Sequence, residues 1–505
     1  MDNHEASDSN ENESMAFRDF YPVNPPFGFV GIEINEDKGT LMYHTVEPTL
    51  NEDESELLNR IKDLLIDRMD VSLDVLRDPD QMEEYLRAQV QRLFKKFERE
   101  IPKESEDKFI YYLKRDFLGY GKIDILLRDE NIEDVSCNGV RTPIYVWHRQ
   151  YESIPSNIIY DTEDELDKTV IRLAYRSGRQ ISISHPIMEG TLPEGFRVQL
   201  TLKEISKRGD TFTIRKFREN PYTIIDLIKN GTVSAEIAAY LWLLVEHGRS
   251  IMICGATASG KTTLLNSLSM FIKPEMKVVT IEEVRELRLH ENWIPMVPRP
   301  SYQPGVTEIT LFDLLKASLR QRPDYIVVGE VRGEEAYTLF QAIATGHGGL
   351  CTIHSDSVDY AIKRLLSRPM DIPAMMVPLM NVLLQIRRVK IGDNIVRRAD
   401  TVTEVIGLSA SDQVQVEHRF RWDSIDDSYR FLESSGRGES IFKQISNLRH
   451  VPEWTLEEEM KQRTLILEWM VKENLNTYAQ VSQLVHNYYG NPEEVLTRAR
   501  FEVTS

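Results

Sequence analysis

Cysteine is scarce: Cys137, Cys254 and Cys351 are the three in 505 residues. Three thiols cannot build a disulfide framework. None sits in a CxxC or Cys/His spacing, which argues against a zinc module and for a reducing, cytosolic compartment. Long apolar runs are missing too. A membrane-spanning helix needs about 20 consecutive apolar residues. The longest candidates, 238–245 and 374–384, fall short, and Pro378 and Asn381 interrupt the second. Both read as buried helix. Basic residues are the minority charge: 61 Lys plus Arg against 80 Asp plus Glu leave a net charge of −19. The chain as a whole is therefore a poor counter-ion for a nucleic-acid backbone, although a local basic face is compatible with that total. Residues 1–14 hold five acids, no Lys or Arg and no apolar stretch. They lack the pattern of a secretory signal, and 1–15 reads as a disordered acidic tail.

What is present suffices for packed cores: 41% hydrophobic and 28% charged residues exclude global disorder. Residues 16–120 open with β-like runs at 27–34 and 40–46. Leu57, Leu58, Ile61, Leu64 and Leu65, then Val90, Leu93, Phe94, Phe97 and Ile101, recur at helical spacing. This region is predicted to be largely helical, with the stripes as core. Over 121–216, strand-like 144–147 and 196–202 around a helical 166–176 predict a small α+β domain. Residues 217–222 read as a linker. From 223 to 505, apolar runs at 251–254, 278–281, 325–328 and 350–353 are separated by helical spacing, the pattern of a mostly parallel sheet. Strand-like 402–408 and 413–419 follow, then helices at 455–473 and 478–488.

The strongest chemical signal is Gly255-Ala-Thr-Ala-Ser-Gly-Lys-Thr262, a GxxxxGK[ST] match between a strand and a helix. Glycines let successive backbone N–H groups converge on phosphate oxygens, and the helix start adds positive potential. Gly255, Thr257, Ala258, Ser259, Gly260, Lys261, Thr262 and Thr263 are the expected nucleotide contacts, with Lys261 on the β/γ-phosphates and the Thr262 hydroxyl on Mg²⁺. Downstream, one strand ends in Glu282 and Glu283, and another in Gly329, Glu330 and Arg332. Carboxylates at the carboxyl ends of parallel strands point into the ligand crevice. Each alone also reads as a strand-end cap; after a phosphate loop they read together as catalytic and metal-holding groups. His354 ends a further strand at the same edge and could sense the γ-phosphate. His347 is equally compatible with a loop-shaping role.

In order and spacing, 255–262, 280–287, 319–332 and 346–354 resemble the phosphate loop, acidic box, second acidic strand and histidine box of the type II/type IV secretion ATPase superfamily. Its members drive type II secretion, type IV pili and archaeal surface filaments. The resemblance spans about residues 110–420. Residues 121–134 and 144–148 look like the small amino-terminal domain of that family; 290–293 and 319–324 look most like archaeal members. The four-cysteine zinc module of bacterial type II enzymes is missing, which favours the archaeal branch. The resemblance implies an α/β chain: a RecA-like P-loop ATPase domain with a mostly parallel sheet, preceded by a small α+β, PAS-like domain and an N-terminal helical region. It implies ATP and Mg²⁺ as cofactors, with Thr262 and Glu330 on the metal. It favours Glu282 as the catalytic acid, while Glu283 stands where many members have Asp. It implies that Arg197 and Arg215 reach the nucleotide across a subunit boundary; Arg208, Arg320 and Arg332 are weaker candidates.

The expected whole is a homo-hexameric motor on the cytoplasmic face of a membrane, acting on a polytopic membrane platform protein. Secretion/pilus and archaellum motors share all four motifs, so the archaellum motor is the alternative. A RecA-like nucleic-acid motor would call for interleaved basic and aromatic residues, which the chain lacks, so no nucleic-acid partner is expected. A nucleotide-dependent scaffold without turnover conflicts with intact Lys261, Glu282 and Glu330.

Overall fold

The computed structural model describes residues 17–35, 39–66, 79–96, 103–217, 220–299, 307–392, 394–433, 435–436 and 438–503. The chain divides into two units, Met1–Arg218 and Glu219–Ser505.

In the first unit, three strands lead: β1 (Phe17–Asn24), β2 (Gly28–Asn35) and β3 (Thr40–Val46). Helices α1 (Glu52–Ile66), α2 (Pro79–Lys96), α3 (Lys103–Leu113) and α4 (Asp124–Arg128) follow. Then come β4 (Ile132–Cys137), β5 (Pro143–His148), β6 (Glu152–Ile159), α5 (Glu163–Arg176), β7 (Ile187–Thr191), β8 (Arg197–Thr201) and β9 (Thr211–Arg215). All nine strands form one sheet in the order β1-β2-β3-β6-β5-β4-β9-β8-β7. The stretch 16–120 is thus not purely helical: its first three strands enter the α+β sheet through a parallel pairing of β3 with β6 at Tyr43 and Ser156. The driving force is burial, since Val30, Ile32 and Tyr43 are lost from solvent together with the sheet core. Leu58, Ile61, Val90, Phe109 and Leu113 of α1–α3 form a separate apolar cluster. Thr162 caps α5 by accepting from the Glu165 N–H, and Leu166, Val170 and Leu173 bury its apolar stripe. The expected acidic tail, Phe97, Ile101 and part of the 217–222 linker lie outside the described residues.

The second unit begins with α6 (Ile224–Lys229), α7 (Ala235–Glu246), β10 (Ile251–Gly255), α8 (Lys261–Ser269), β11 (Val278–Ile281) and β12 (Trp293–Met296). It continues with α9 (Leu311–Leu319), β13 (Tyr325–Val331), α10 (Glu335–Ala344), β14 (Gly348–His354) and α11 (Val358–Leu366). A long antiparallel run follows: β15 (Val382–Ile391), β16 (Asn394–Leu408), β17 (Val414–Asp423) and β18 (Ser428–Phe431). Helices α12 (Ile441–Arg449), α13 (Glu453–Lys472), α14 (Tyr478–Gly490) and α15 (Pro492–Val503) close the chain. The sheet order is β12-β11-β13-β14-β10-β15-β16-β17-β18. From β12 to β15 every pairing is parallel. This is the RecA-like α/β arrangement, and β10 and β11 are buried along their whole length, as strands covered on both faces must be.

One expectation fails here. The run 374–384 is not a buried helix. A short 3₁₀ turn over Ala374–Leu379 contains Pro378, which has no N–H to continue a helix. Leu383 and Leu384 then pair in parallel with Met252 and Ile253 of β10. Among the described residues, no helix is long and apolar enough to cross a membrane.

The antiparallel half is tied to the helices by a buried charge. Arg419 donates from Nε to Glu404 Oε1 at 2.8 Å and from Nη2 to Oε2 at 3.1 Å. Tyr240 on α7 and the Ile441 N–H at the start of α12 donate to the same carboxylate. Removing Glu404 leaves the buried Arg419 with the more distant Glu417, at 3.5 Å, in place of a bidentate partner in a low-dielectric interior. Glu404→Ala is therefore expected to destabilise this unit by about 3–5 kcal/mol, read as a lower denaturant midpoint. Glu404→Leu combined with Arg419→Met should recover much of the loss, and an unchanged midpoint for Glu404→Ala would refute the assignment.

Candidate functional site

The site is built at the carboxyl edge of the parallel strands. β10 ends at Gly255, which lies beside His354, the last residue of β14. A Cβ on Gly255 would come within 2.5 Å of the Ile386 carbonyl oxygen and of Ser259 Oγ, so the position admits only glycine. The loop turns through Ala258 at φ 58° and Gly260 at φ 94°, a left-handed region that glycine adopts without strain. Gly260 is the N-cap of α8, and no side chain caps that helix. The N–H groups of its first turn, at Lys261, Thr262 and Thr263, therefore have no capping side chain to meet them. Ser259 Oγ is buried without a hydrogen-bond partner among the described residues. A close-approach glycine at 255, a positive-φ glycine at 260, an uncapped helix start and an orphaned buried hydroxyl fit a phosphate chain.

Side chains from neighbouring strand ends converge on this loop. Lys261 Nζ donates to the Ala256 carbonyl at 2.8 Å, folded over the loop. Thr257 Oγ1 and His354 Nε2 are 3.0 Å apart. Glu330 accepts from Arg332 Nη2 at 2.8 Å, and the other arm of Arg332 holds Glu283 at 2.8 Å. An open cleft of about 390 Å³ is lined by Glu330, Arg332, His354, Ser355, Asp356 and Arg364.

The two expected acids sit in opposite environments. Glu282 is 3% exposed. Its Oε1 accepts from the Glu286 and Leu287 N–H groups at 2.9 and 3.0 Å, and its Oε2 is buried with no partner among the described residues. Burial pushes its carboxyl up to about 7, although the two N–H bonds pull the other way. For Glu330, burial also works upward, but Arg332 and the charges of His354 and Lys261 prevail and hold it below its ordinary value. Burial and the neighbouring Lys261 depress His354, which favours the neutral ring.

The remaining expected residues are placed as follows. Arg197 and Arg215 belong to the first unit, where they face each other across β8 and β9. Arg215 also stands opposite Asp134 of β4, and Arg197 contacts Glu189 at 3.3 Å. His347 precedes β14 at the opposite strand end from His354 and bonds the Ala342 carbonyl through Nδ1 at 2.9 Å, a structural role. Arg320 is the exposed C-cap of α9. Sequence reasoning did not single out Arg364, which reaches back from α11 to donate to the His354 carbonyl. No motif marks it; the folded return of α11 alone brings it there.

The model of a family described as type II/IV secretion system protein matches residues 123–482. An uncharacterised protein of Methanocaldococcus jannaschii is 38% identical over 395 residues, 77% of this chain and 71% of that protein. The type IV secretion system protein PtlH of Bordetella pertussis is 34% identical over 228 residues, 40% of this chain and 67% of PtlH. Among solved structures, the Legionella pneumophila ATPase DotB aligns with a TM-score of 0.40 at 17% identity, covering 70% of this chain and 91% of DotB.

The raised carboxyl of Glu282 has a consequence for stability. The folded protein holds this proton more tightly than the unfolded chain does. That contribution is complete below about 4.5, the ordinary value, and is lost as pH rises through about 7. Glu282→Gln keeps the shape without the ionisation. Its unfolding temperature relative to the parent is expected to be more favourable at about pH 8.5 than at about pH 5. Calorimetric scans at the two pH values check this, and an identical difference at both would show that the carboxyl titrates normally.

Proposed function

The chain belongs to the type II/IV secretion system protein family, and from that premise we propose that it is an ATP-hydrolysing motor of a secretion or type IV pilus-like machine. It works as a homo-hexamer at the cytoplasmic face of a membrane, on a polytopic platform protein. The observation that carries the reading is one strand edge holding an uncapped helix start, Lys261, a charged carboxylate at Glu330 and a buried, near-neutral carboxylate at Glu282. The naming of the relative PtlH supports the secretion setting, and the Methanocaldococcus relative supports the archaeal branch.

The mechanism follows from the side chains. Backbone N–H groups of the 255–262 loop and the start of α8 bind the phosphates, and Lys261 exchanges the Ala256 carbonyl for phosphate oxygens. Thr262 and Glu330 are the groups to hold Mg²⁺, which when bound neutralises charge on the transferring phosphoryl. Arg332 keeps Glu330 ionised for that task. Glu282 offers its unpartnered Oε2 to the proton of the attacking water, and a pKa near neutrality suits a general base. His354, neutral and bonded to Thr257, links the loop to the end of β14 and so reports on the γ-phosphate. Arg197 and Arg215 serve the site of the adjacent subunit, and identical subunits meeting head to tail close into a ring.

Two experiments test the proposal. In a phosphate-release assay, Lys261→Ala is expected to be inactive. Glu282→Gln should bind nucleotide while turning over about 10²–10⁴-fold more slowly. The parent should gain kcat/KM with pH up to about 7, the value to which burial pushes Glu282, and then level off. Parental turnover by Glu282→Gln, or inactivity of Glu283→Gln in its place, would overturn the assignment. In the second, inactive Arg197→Ala and Lys261→Ala proteins are mixed after confirmed subunit exchange. Partial recovery of activity is expected, because some interfaces pair an intact Arg197 with an intact phosphate loop. Mixed rings without recovery would place the arginine in cis or in a structural role.

A further inference from the structure

The hairpin of β15 and β16 carries four arginines whose surroundings differ. Arg387 stands opposite Arg398, and Arg388 opposite Arg397. Directly opposed side chains share a face of the sheet. On the first face the charges are matched. Arg387 pairs with Asp400 at 3.3 Å. Arg398 is held by both oxygens of Asp427 at 2.7 and 2.8 Å and donates to the Asn230 carbonyl.

The second face lies on the phosphate loop. Ile386, two residues before Arg388, approaches Gly255 with its carbonyl oxygen. At Gly260, the atoms nearest to where a Cβ would stand are Ile386 Cδ1 at 3.6 Å and Arg397 Cγ at 3.8 Å. The stem of Arg397 therefore runs past the N-cap of α8. Arg397 is half-buried, and its side chain has no hydrogen-bond or carboxylate partner among the described residues. Arg388 stands directly across from it. The uncapped start of α8 beside Arg397 is where an anion is favoured.

We propose that Arg397 is a nucleotide-binding residue of its own chain, donating to phosphate oxygens held by the 255–262 loop alongside Lys261. The proposal rests on the reading of that loop as the ATP site. A guanidinium fork matches phosphate oxygens two at a time. Its stem lies at Gly260, and among the described residues no hydrogen bond or ion pair joins it to Glu282, Glu330 or His354, the groups assigned to the reacting end. Arg397 therefore binds ADP and ATP alike and strengthens affinity without accelerating turnover.

The test is a titration of the full chain with fluorescent ADP and ATP at two salt concentrations, beside steady-state hydrolysis. Arg397→Gln is expected to weaken both nucleotides by about tenfold and to flatten the salt dependence. KM should rise while kcat stays within about twofold. Arg387→Gln, on the other face, should bind as the parent does. Arg397→Lys keeps a charge but loses the fork, so about a threefold weakening is expected; it carries the test if the Gln variant melts early. Parental affinity for both nucleotides in a folded Arg397→Gln or Arg397→Lys protein overturns the proposal. Lys261→Ala in the same titration separates the two claims. Tight binding that Lys261→Ala loses and Arg397→Gln keeps removes only the role of Arg397. A parent that binds neither nucleotide removes the ATP-site reading and this proposal with it.

Discussion

The site depends on how near one backbone comes to another. Ile386 places its carbonyl oxygen 2.5 Å from where a Gly255 Cβ would stand. That approach lets β15 flank β10 up to the mouth of the loop. The two glycines of the motif thus answer different demands. Gly255 is required because there is no room beside it. Gly260 is required because the chain passes through φ 94° there. Any side chain at Gly255 would push β15 away, and with it the face of the hairpin that covers the loop.

Around that fixed point, burial and charge sort two carboxylates at one strand edge. Glu282 follows β11 into an interior where burial outweighs the N–H groups that meet it, and its proton is held more tightly. Glu330, one strand over, meets Arg332 and the fields of Lys261 and His354, and its proton is released. Pairs of titratable groups driven apart in this way are how one site supplies both a base and a fixed negative charge at neutral pH. Arg332 also engages Glu283, so the two adjacent acids at 282 and 283 are separated by their partners and not by their chemistry.

Legibility in the sequence followed the range of the interactions. The phosphate loop and the strands at 251–254 and 278–281 are local patterns: a glycine-bounded turn, and apolar runs short enough to be buried on both faces. The run 374–384 reads as helix in the sequence because apolar composition does not separate a buried helix from a central strand, and the partner that decides, β10, lies about 130 residues earlier. For the same reason 17–46 did not announce its place beside β6. The Glu282 and Glu283 ambiguity needed a burial and an ion pair, neither of which is written in a dipeptide. Arg364 and Arg397 carry no motif, and only the return of distant segments sets them beside the loop.

The placement of β10 has a consequence for synthesis. Its parallel neighbours come much later in the chain: Thr257 meets His354 across 97 residues, and Cys254 bonds Leu384 across 130. A chain made from its amino end exposes the phosphate loop well before either flanking strand exists. Until then Gly255 has no backbone against it, His354 is not yet joined to Thr257, and β10 is an apolar strand with two open edges. The nascent protein thus carries the most recognisable part of its site long before it can use it, and that strand is the segment most in need of shelter while the chain is incomplete.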